Sequence, residues 1–443
     1  MPGLEEKSLE HRLADLEYIP EIYIYPTPRM YEPLSEFSPE GLELTPEINV
    51  YIHVPFCRQF CTFCGYFKTL YEESLQEQFV QGVIREIELR ASALRGRKVN
   101  TLHFGGGTPS LLTPEQLGRM VAALQRVNPE LLNTCVEVSI EATPESIERD
   151  KFAAYRQAGV QRVSLGVQSL VDEEVKLANR CLAPRESARD LLARAMDCLR
   201  EVGFESLVID LMIGIEGQTR DSFEVSLQRA LELRPETVQL YALGVMPQTG
   251  LGRRRPPVLM PGAEIYACYE RARERFAEAG YRRESHDRYS LHPVNGFVQG
   301  DGNLRGTSLV GLGAGARSYA PSVHFRNVYD AVNGRKALLS YLARMDAGQL
   351  AVESGCFLDA EERMRQYAIG HLIALNEEDF EARFGVRFQQ RFSDLFHSMR
   401  RLELVDVDGP WLRLSPRGLL FRDLLARQLF SDRARRLEEA YRS

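Results

Sequence analysis

Tyr51-Ile-His-Val-Pro-Phe-Cys57-Arg-Gln-Phe-Cys61-Thr-Phe-Cys64-Gly65 decides how this chain is read. Three cysteines fall within eight residues, directly after the apolar, β-rich run Val50–Val54. Three thiolates on one short loop hold three irons of a cubane cluster and leave the fourth iron open, whereas four cysteines close every site. A structural zinc site is the competing reading. It wants four protein ligands in paired spacing, and there is no second cysteine pair, although His53 stands close enough in sequence to complete a site. Spacings of three and then two residues on a strand-to-helix loop favour the cluster. The other cysteines, at 135, 181, 198, 268 and 356, lie in apolar segments and read as small core residues.

Outward from this loop, apolar β-rich runs recur at Thr101–Phe104, Val136–Ile140, Arg162–Val167, Leu207–Met212 and Thr237–Leu243. Segments of helical period separate them, at Leu75–Arg95, Pro114–Val127, Pro144–Ala158, Glu186–Val202 and Ser222–Leu233. Strand-then-helix repetition predicts a parallel sheet, either doubly wound or curled into part of a barrel. Six βα units fall short of the eight in a closed barrel. In both architectures the chemistry gathers at the carboxyl ends of the strands.

The flanks differ. Residues 1–48 carry Pro20, Pro26, Pro28, Pro33, Pro39 and Pro46, so they read as an extended arm lying over the body, either a surface wrap or a lid on a substrate pocket. Residues 49–330 form the βα array with an accessory segment. After about Asp330 the pattern turns helical, and Leu404–Leu414 with Gly409-Pro410 at its centre reads as a β-hairpin before a final helix. Residues 331–443 therefore read as a helical, winged-helix-like unit, structural or substrate-covering rather than DNA-binding.

The 443 residues are 44% hydrophobic and 26% charged, with net charge −7 and a pI near 5.8. These values exclude collagenous, coiled-coil and wholly disordered chains. No apolar run spans a bilayer, and the Met1–Glu10 start lacks a basic-then-apolar leader, so a cytoplasmic location with no membrane partner is expected. Nucleic acid is not an expected partner either, despite Arg253-Arg254-Arg255.

Other chemistry-bearing residues sit at strand ends. Gly105-Gly106-Gly107-Thr108 follows the second strand, where backbone without Cβ atoms approaches a ligand closely. Glu141 ends the third strand. Asp210 stands inside an apolar strand, a costly placement without a partner. The cysteine loop opening a βα array resembles the radical S-adenosylmethionine (SAM) superfamily. That resemblance implies a [4Fe-4S] cluster on Cys57, Cys61 and Cys64, and SAM cleaved to a 5′-deoxyadenosyl radical that abstracts hydrogen. It implies that Gly105, Gly106 and Gly107 receive the SAM amino group, and that Glu141, Gln168, Arg180 and Asp210 contact its methionine and ribose. The fold expected is α/β, a partial (β/α)6 TIM-like barrel with the C-terminal helical, winged-helix-like domain.

Within the superfamily, His53-Val-Pro-Phe-Cys57, Gly105-Gly-Gly-Thr-Pro-Ser110, Ser139-Ile-Glu-Ala-Thr-Pro144 and Gly311-Leu-Gly-Ala-Gly-Ala-Arg-Ser318 resemble oxygen-independent coproporphyrinogen III oxidase and its relatives, with Tyr51 a catalytic-site candidate. Two departures divide that group. Tyr66 stands where the oxidases carry a further cysteine, and Gly302-Asn303-Leu304-Arg305-Gly306 replaces the His-Asn-x-x-Tyr-Trp motif of the haem chaperones. They favour the class C methyltransferases and cyclopropanases of natural-product pathways. That branch implies a second SAM near Thr108, Ala242, Phe297 and Gln299, donating a methyl or methylene to an sp2 carbon of a small-molecule substrate, with flavodoxin or ferredoxin as electron donor. Anaerobic porphyrin chemistry (coproporphyrinogen decarboxylation or haem ring opening) and haem delivery are the alternatives. A cluster protein that binds SAM without consuming it is the non-enzymatic one.

Overall fold

The computed structural model describes residues 9–16, 18, 22, 24–34, 37–180, 186–254, 259–292 and 297–442, the last four by backbone only, so Cys181 lies outside the described residues. Six strands run parallel and neighbour one another in chain order: β1 (Glu47–Val54), β2 (Lys98–Gly106), β3 (Glu137–Ala142), β4 (Arg162–Gln168), β5 (Ser206–Ile213) and β6 (Thr237–Ala242). Helices α1 (Glu73–Leu89), α2 (Pro114–Val127), α3 (Arg149–Gln157), α4 (Ala188–Val202) and α5 (Arg220–Glu232) connect them. Alternation along β1 explains why the array curls around a polar interior. Val50, Ile52 and Val54 are fully buried on the helix side, while Asn49, Tyr51 and His53 share the other face.

Local signals set the helix ends. Thr113 accepts from Gln116 N at 3.1 Å while Gln116 Oε1 accepts from Thr113 N at 3.0 Å, and Pro114 occupies the first turn of α2. Ser187 caps α4, which ends at Gly203 with φ 95°. The helix predicted over Leu75–Arg95 instead breaks at Arg90. This buried guanidinium turns inward to Gly311 O and Ser318 Oγ, both at 3.1 Å. Pro144 starts a 3-10 turn, so α3 begins only at Arg149.

Beyond β6, helix α6 (Gly262–Glu278) packs outside, and β7 (Arg288–Ser290) pairs antiparallel with β6. Helix α7 (Val298–Leu304) lies in the accessory segment. Strand β8 (Ser308–Leu312) then joins β1 in parallel from its other side, followed by antiparallel β9 (Arg317–Ala320), β10 (Val323–Asn327) and β11 (Val352–Phe357). Among the described residues the sheet has 13 strands in an open order, an α/β partial barrel with an antiparallel extension. Strand β11 falls where a helical pattern is expected. Its pairing with β10 decides it, and that partner is distant in sequence.

In the C-terminal segment, α8 (Ala360–Gly370), β12 (Ala374–Asn376), α9 (Glu377–Phe384) and α10 (Ser393–Arg401) precede the hairpin of β13 (Val405–Asp408) and β14 (Trp411–Leu414), turning at Gly409 with φ 56°. These strands form their own antiparallel sheet in the order β12, β14, β13. The arm is stitched to this segment. Leu9 and Leu13 of a six-residue helix, Ile22, Tyr25 and Met30 share one apolar cluster with Phe380, Leu412 and Leu425. Arg422 Nη1 donates to Ile22 O at 2.6 Å, and Glu32–Pro33 adds a short edge to β11. No helix among the described residues is long and apolar enough to cross a membrane.

Candidate active site

The cysteine loop leaves the carboxyl end of β1 and is clamped on two sides. Thr62 N donates to Ala178 O at 3.1 Å, and Leu251 N donates to Thr62 O at 2.7 Å. Asn179, in the left-handed region at φ 53°, donates its amide to Phe60 O at 2.8 Å. The loop's frame therefore comes from residues more than a hundred positions away. Cys57, Cys61 and Cys64 are half-buried free thiols. Burial pushes Cys57 up to about 12 and raises Cys64, helped by the neighbouring thiols. Thr108 Oγ1 donates toward Cys57 Sγ at 3.8 Å, and Arg180 Nη1 toward Cys61 Sγ at 3.7 Å. The Thr108 hydroxyl favours the Cys57 thiolate over its thiol. The remaining described cysteines are isolated; Cys268 and Cys356 are buried, and burial lifts them to about 12 and 11.

Beside the loop, Gly107 N donates to Val54 O and Thr108 N to Phe56 O, both at 2.8 Å, so the glycine run lies flat on the cysteine strand. A Cβ on Gly107 would meet Phe56 O at 2.7 Å and Val54 O at 2.9 Å, and one on Gly105 would press on Tyr51 and His103. Gly106 N donates to Glu141 Oε2 at 2.9 Å, and His103 Nε2 lies 3.3 Å from Glu141 Oε1. Burial opposes the charge of Glu141, but these two donors outweigh it and hold the carboxyl below its usual range. The side chain keeps 41% of its surface accessible.

Tyr51 stacks on His103 at 5.7 Å, and its hydroxyl lies 2.8 Å from His53 Nδ1. His53 Nε2 faces Phe67 O at 2.9 Å, so the ring proton sits on Nε2, and Nδ1 accepts the Tyr51 proton. Burial lowers His53 to about 4, which keeps it neutral. Gln168 takes φ 65° at a register slip between β4 and β5, and its amide oxygen is buried without a hydrogen-bond partner. Arg180 reaches the same spot through Gly166 O. Asp210 lies inside the array, where burial and then Glu141 raise its carboxyl to about 7 against the pull of Arg162 and Arg180.

The structure gathers Tyr51, the three cysteines, Gly105–Thr108, Glu141, Gln168, Arg180 and Asp210 around one end of the parallel strands. Phe297 joins them from below, its ring 5.5 Å from that of His103 and 5.7 Å from the Arg162 guanidinium. Gln299 sits deeper, its backbone carbonyl 3.5 Å from Asn49 Nδ2 and its buried amide oxygen unpartnered. Ala242 ends β6, where its carbonyl accepts from Tyr18 Oη of the arm at 3.1 Å. Sequence reasoning passed over His103 and Asn179. His103 is readable as a polar residue on the inward period of β2, whereas nothing local marks Asn179.

The family model of the radical SAM superfamily matches residues 51–230. Oxygen-independent coproporphyrinogen III oxidase of Pseudomonas aeruginosa is 29% identical over 391 residues, covering 84% of this chain and 81% of the relative. The haem chaperone HemW of Escherichia coli is 31% identical over 278 residues, 61% of this chain and 70% of the relative. The solved structure of coproporphyrinogen III oxidase (HemN) from Escherichia coli, a radical SAM enzyme, matches with a TM-score of 0.78 at 25% identity, over 94% of this chain and 98% of that one. The chain belongs to the radical SAM superfamily, in the coproporphyrinogen III oxidase-like group.

A radical SAM protein of this group uses a [4Fe-4S] cluster and SAM. The residues present fit both. Three free thiols on one loop, without a fourth cysteine beside them, suit a multi-iron group better than a four-ligand structural zinc. The glycine run leaves bare backbone beside them, and Gln168 and Gln299 carry buried acceptors with no protein donor. Class C methyl or methylene transfer is overturned, because the relatives that match along the chain are coproporphyrinogen III oxidases and HemW. The departures that favoured it are local. Tyr66 is 60% exposed on the rim of the cysteine loop, and Gly302–Arg305 lie in and just after α7, so neither alters the shared scaffold.

Proposed function

We propose that this chain is an oxygen-sensitive, cytoplasmic radical SAM enzyme acting on a tetrapyrrole, and that it oxidatively decarboxylates a coproporphyrinogen. The observation that carries this reading is the reach of the similarity: the HemN structure is matched over 94% of this chain, whereas the HemW similarity covers 61%. In this reading Cys57, Cys61 and Cys64 ligate the cluster. Gly105–Gly107, Glu141, Gln168, Arg180 and Asp210 hold SAM, and Thr108, Ala242, Phe297 and Gln299 serve a second SAM.

When bound, the cluster and SAM supply one-electron chemistry, with the electron from a flavodoxin- or ferredoxin-type donor. The chain's own residues do the rest. Thr108 and Arg180 aim donors at two of the sulfurs and offset thiolate charge. Glu141 stays ionised beside the glycine run and offers a carboxylate to an ammonium. Asp210, titrating near neutrality, suits a hydroxyl that either donates or accepts. Tyr51 is held by His53 in one orientation, and Tyr18 closes the arm against the end of β6.

Anaerobically reconstituted protein with a strong reductant, coproporphyrinogen III and SAM bearing a CD3 methyl group tests the reading. Expected are CO2, a decarboxylated porphyrinogen and 5′-deoxyadenosine without deuterium. Deuterium in that product, or an untouched substrate with an intact cluster, would overturn it. The 31% identity to HemW supports a second reading, haem binding without substrate turnover. A Soret band on adding haem, with SAM retained, is its signature.

A further inference from the structure

His103 stands on the inward face of β2, in register with Tyr51 on β1 and with Ser139 on β3. Ser139 and Glu141 are two residues apart and share one face of β3, so a single imidazole meets both. Nδ1 lies 2.8 Å from Ser139 Oγ, and Nε2 lies 3.3 Å from Glu141 Oε1. Since Glu141 stays ionised, the nitrogen facing it carries a proton and donates. The His103 ring is buried, stacked on Tyr51 and set edge-on to Phe297, which leaves it little room to turn.

The terminal torsion of a glutamate is broad, so a single hydrogen bond leaves its carboxylate free to rock. Glu141 has one donor on each oxygen, Gly106 N on Oε2 and His103 Nε2 on Oε1. Together they fix the plane of the carboxylate, and among the described residues His103 is the side chain that donates to it. Gly105 makes room for this contact. A Cβ there would meet His103 Nε2 at 2.8 Å and Glu141 Oε1 at 3.0 Å, wedging the pair apart. We propose that His103 is a positioning residue for SAM, holding the Glu141 carboxylate in the orientation that receives the ammonium of the methionine end. This rests on the reading of Glu141 as a SAM-binding carboxylate. It adds a residue that acts on SAM only through Glu141.

The test reads binding alone, by equilibrium dialysis of radiolabelled SAM against anaerobic holoprotein without reductant. His103→Gln keeps an N–H near the place of Nε2 and gives up the ring, whereas His103→Phe keeps the ring and gives up the donor. Glu141→Gln and the double variant His103→Phe/Glu141→Gln complete the set. Cluster absorbance and melting temperature certify folding. Where the Phe variant fails to fold, His103→Asn takes its place, since it reaches Ser139 and falls short of Glu141. Expected is SAM affinity near wild type in His103→Gln and about 10-fold weaker in His103→Phe. The double variant should bind no more weakly than Glu141→Gln, because a residue acting through Glu141 has nothing left to hold. A Phe variant that binds like wild type, or a weakening that adds to that of Glu141→Gln, overturns the proposal and leaves Glu141 a SAM ligand. A Gln variant as weak as the Phe variant assigns the effect to ring packing and overturns it too. If Glu141→Gln itself binds SAM like wild type, the reading of Glu141 fails, and the role of His103 falls with it.

Discussion

Asp210→Asn should make the cofactor-free protein more stable, by an amount that grows with pH. In the fold Asp210 titrates at about 7 rather than 3.8, chiefly because burial penalises its charge. Between those values the folded state holds a proton that the unfolded state has released, so stability falls as pH rises, by about 1.4 kcal/mol per pH unit for this group. The full penalty, about 4 kcal/mol at most, is in place above pH 7 and absent below about pH 3.5. An amide of the same shape never ionises. Glu141, whose carboxyl is held low, has the opposite dependence but is common to both proteins and cancels in the difference. At about 2.1 cal/mol/K per residue, a chain of this length has an unfolding entropy near 0.9 kcal/mol/K, so the variant should melt about 4 °C higher at pH 8 and with wild type below about pH 3.5. Paired calorimetric scans across that range measure the difference. A flat difference curve would show that Asp210 is solvated or paired, and the reasoning would fail. SAM binding to the holoprotein should meanwhile weaken in the same variant, with the cluster spectrum unchanged.

Replacing Cys57, Cys61 or Cys64 singly by alanine should abolish the cluster's visible absorbance and SAM cleavage together, because each removes an iron ligand; one variant retaining full turnover would sink the ligand assignment. Gly107→Ala should cost about 1–3 kcal/mol through overpacking, because the new methyl meets only backbone atoms under 3.0 Å. Gly118→Ala, on α2 with nothing within 4 Å, should instead stabilise by up to about 1 kcal/mol; equal effects in chemical denaturation would contradict the contact argument. Tyr18→Phe removes the hydrogen bond to Ala242 O and should cost about 1 kcal/mol. It should show first as faster proteolysis of the arm, and an unchanged cleavage rate would mean the arm is held elsewhere.

Features with a local cause were legible in the chain before any fold was known. The spacing of Cys57, Cys61 and Cys64, the bare backbone of Gly105–Gly107 and the capping at Thr113 and Ser187 act within a few residues, and the period-two and helical patterns name the six parallel strands and their helices. Placement of Glu141 and Asp210 at strand positions was legible for the same reason. The assembled fold settled the rest. Whether Val352–Phe357 is a strand depends on β10, and the break at Arg90 depends on carbonyl and hydroxyl acceptors supplied by β8 and β9. Asn179 frames the cysteine loop only because the fold brings it there, and the protonation of His53 and Asp210 follows from burial that no neighbour in sequence imposes. The meeting of His103 with Ser139 is a matter of register between two strands. Hydrogen bonds, desolvation and charge act through space, and residues far apart in the chain become neighbours only when the sheet has formed.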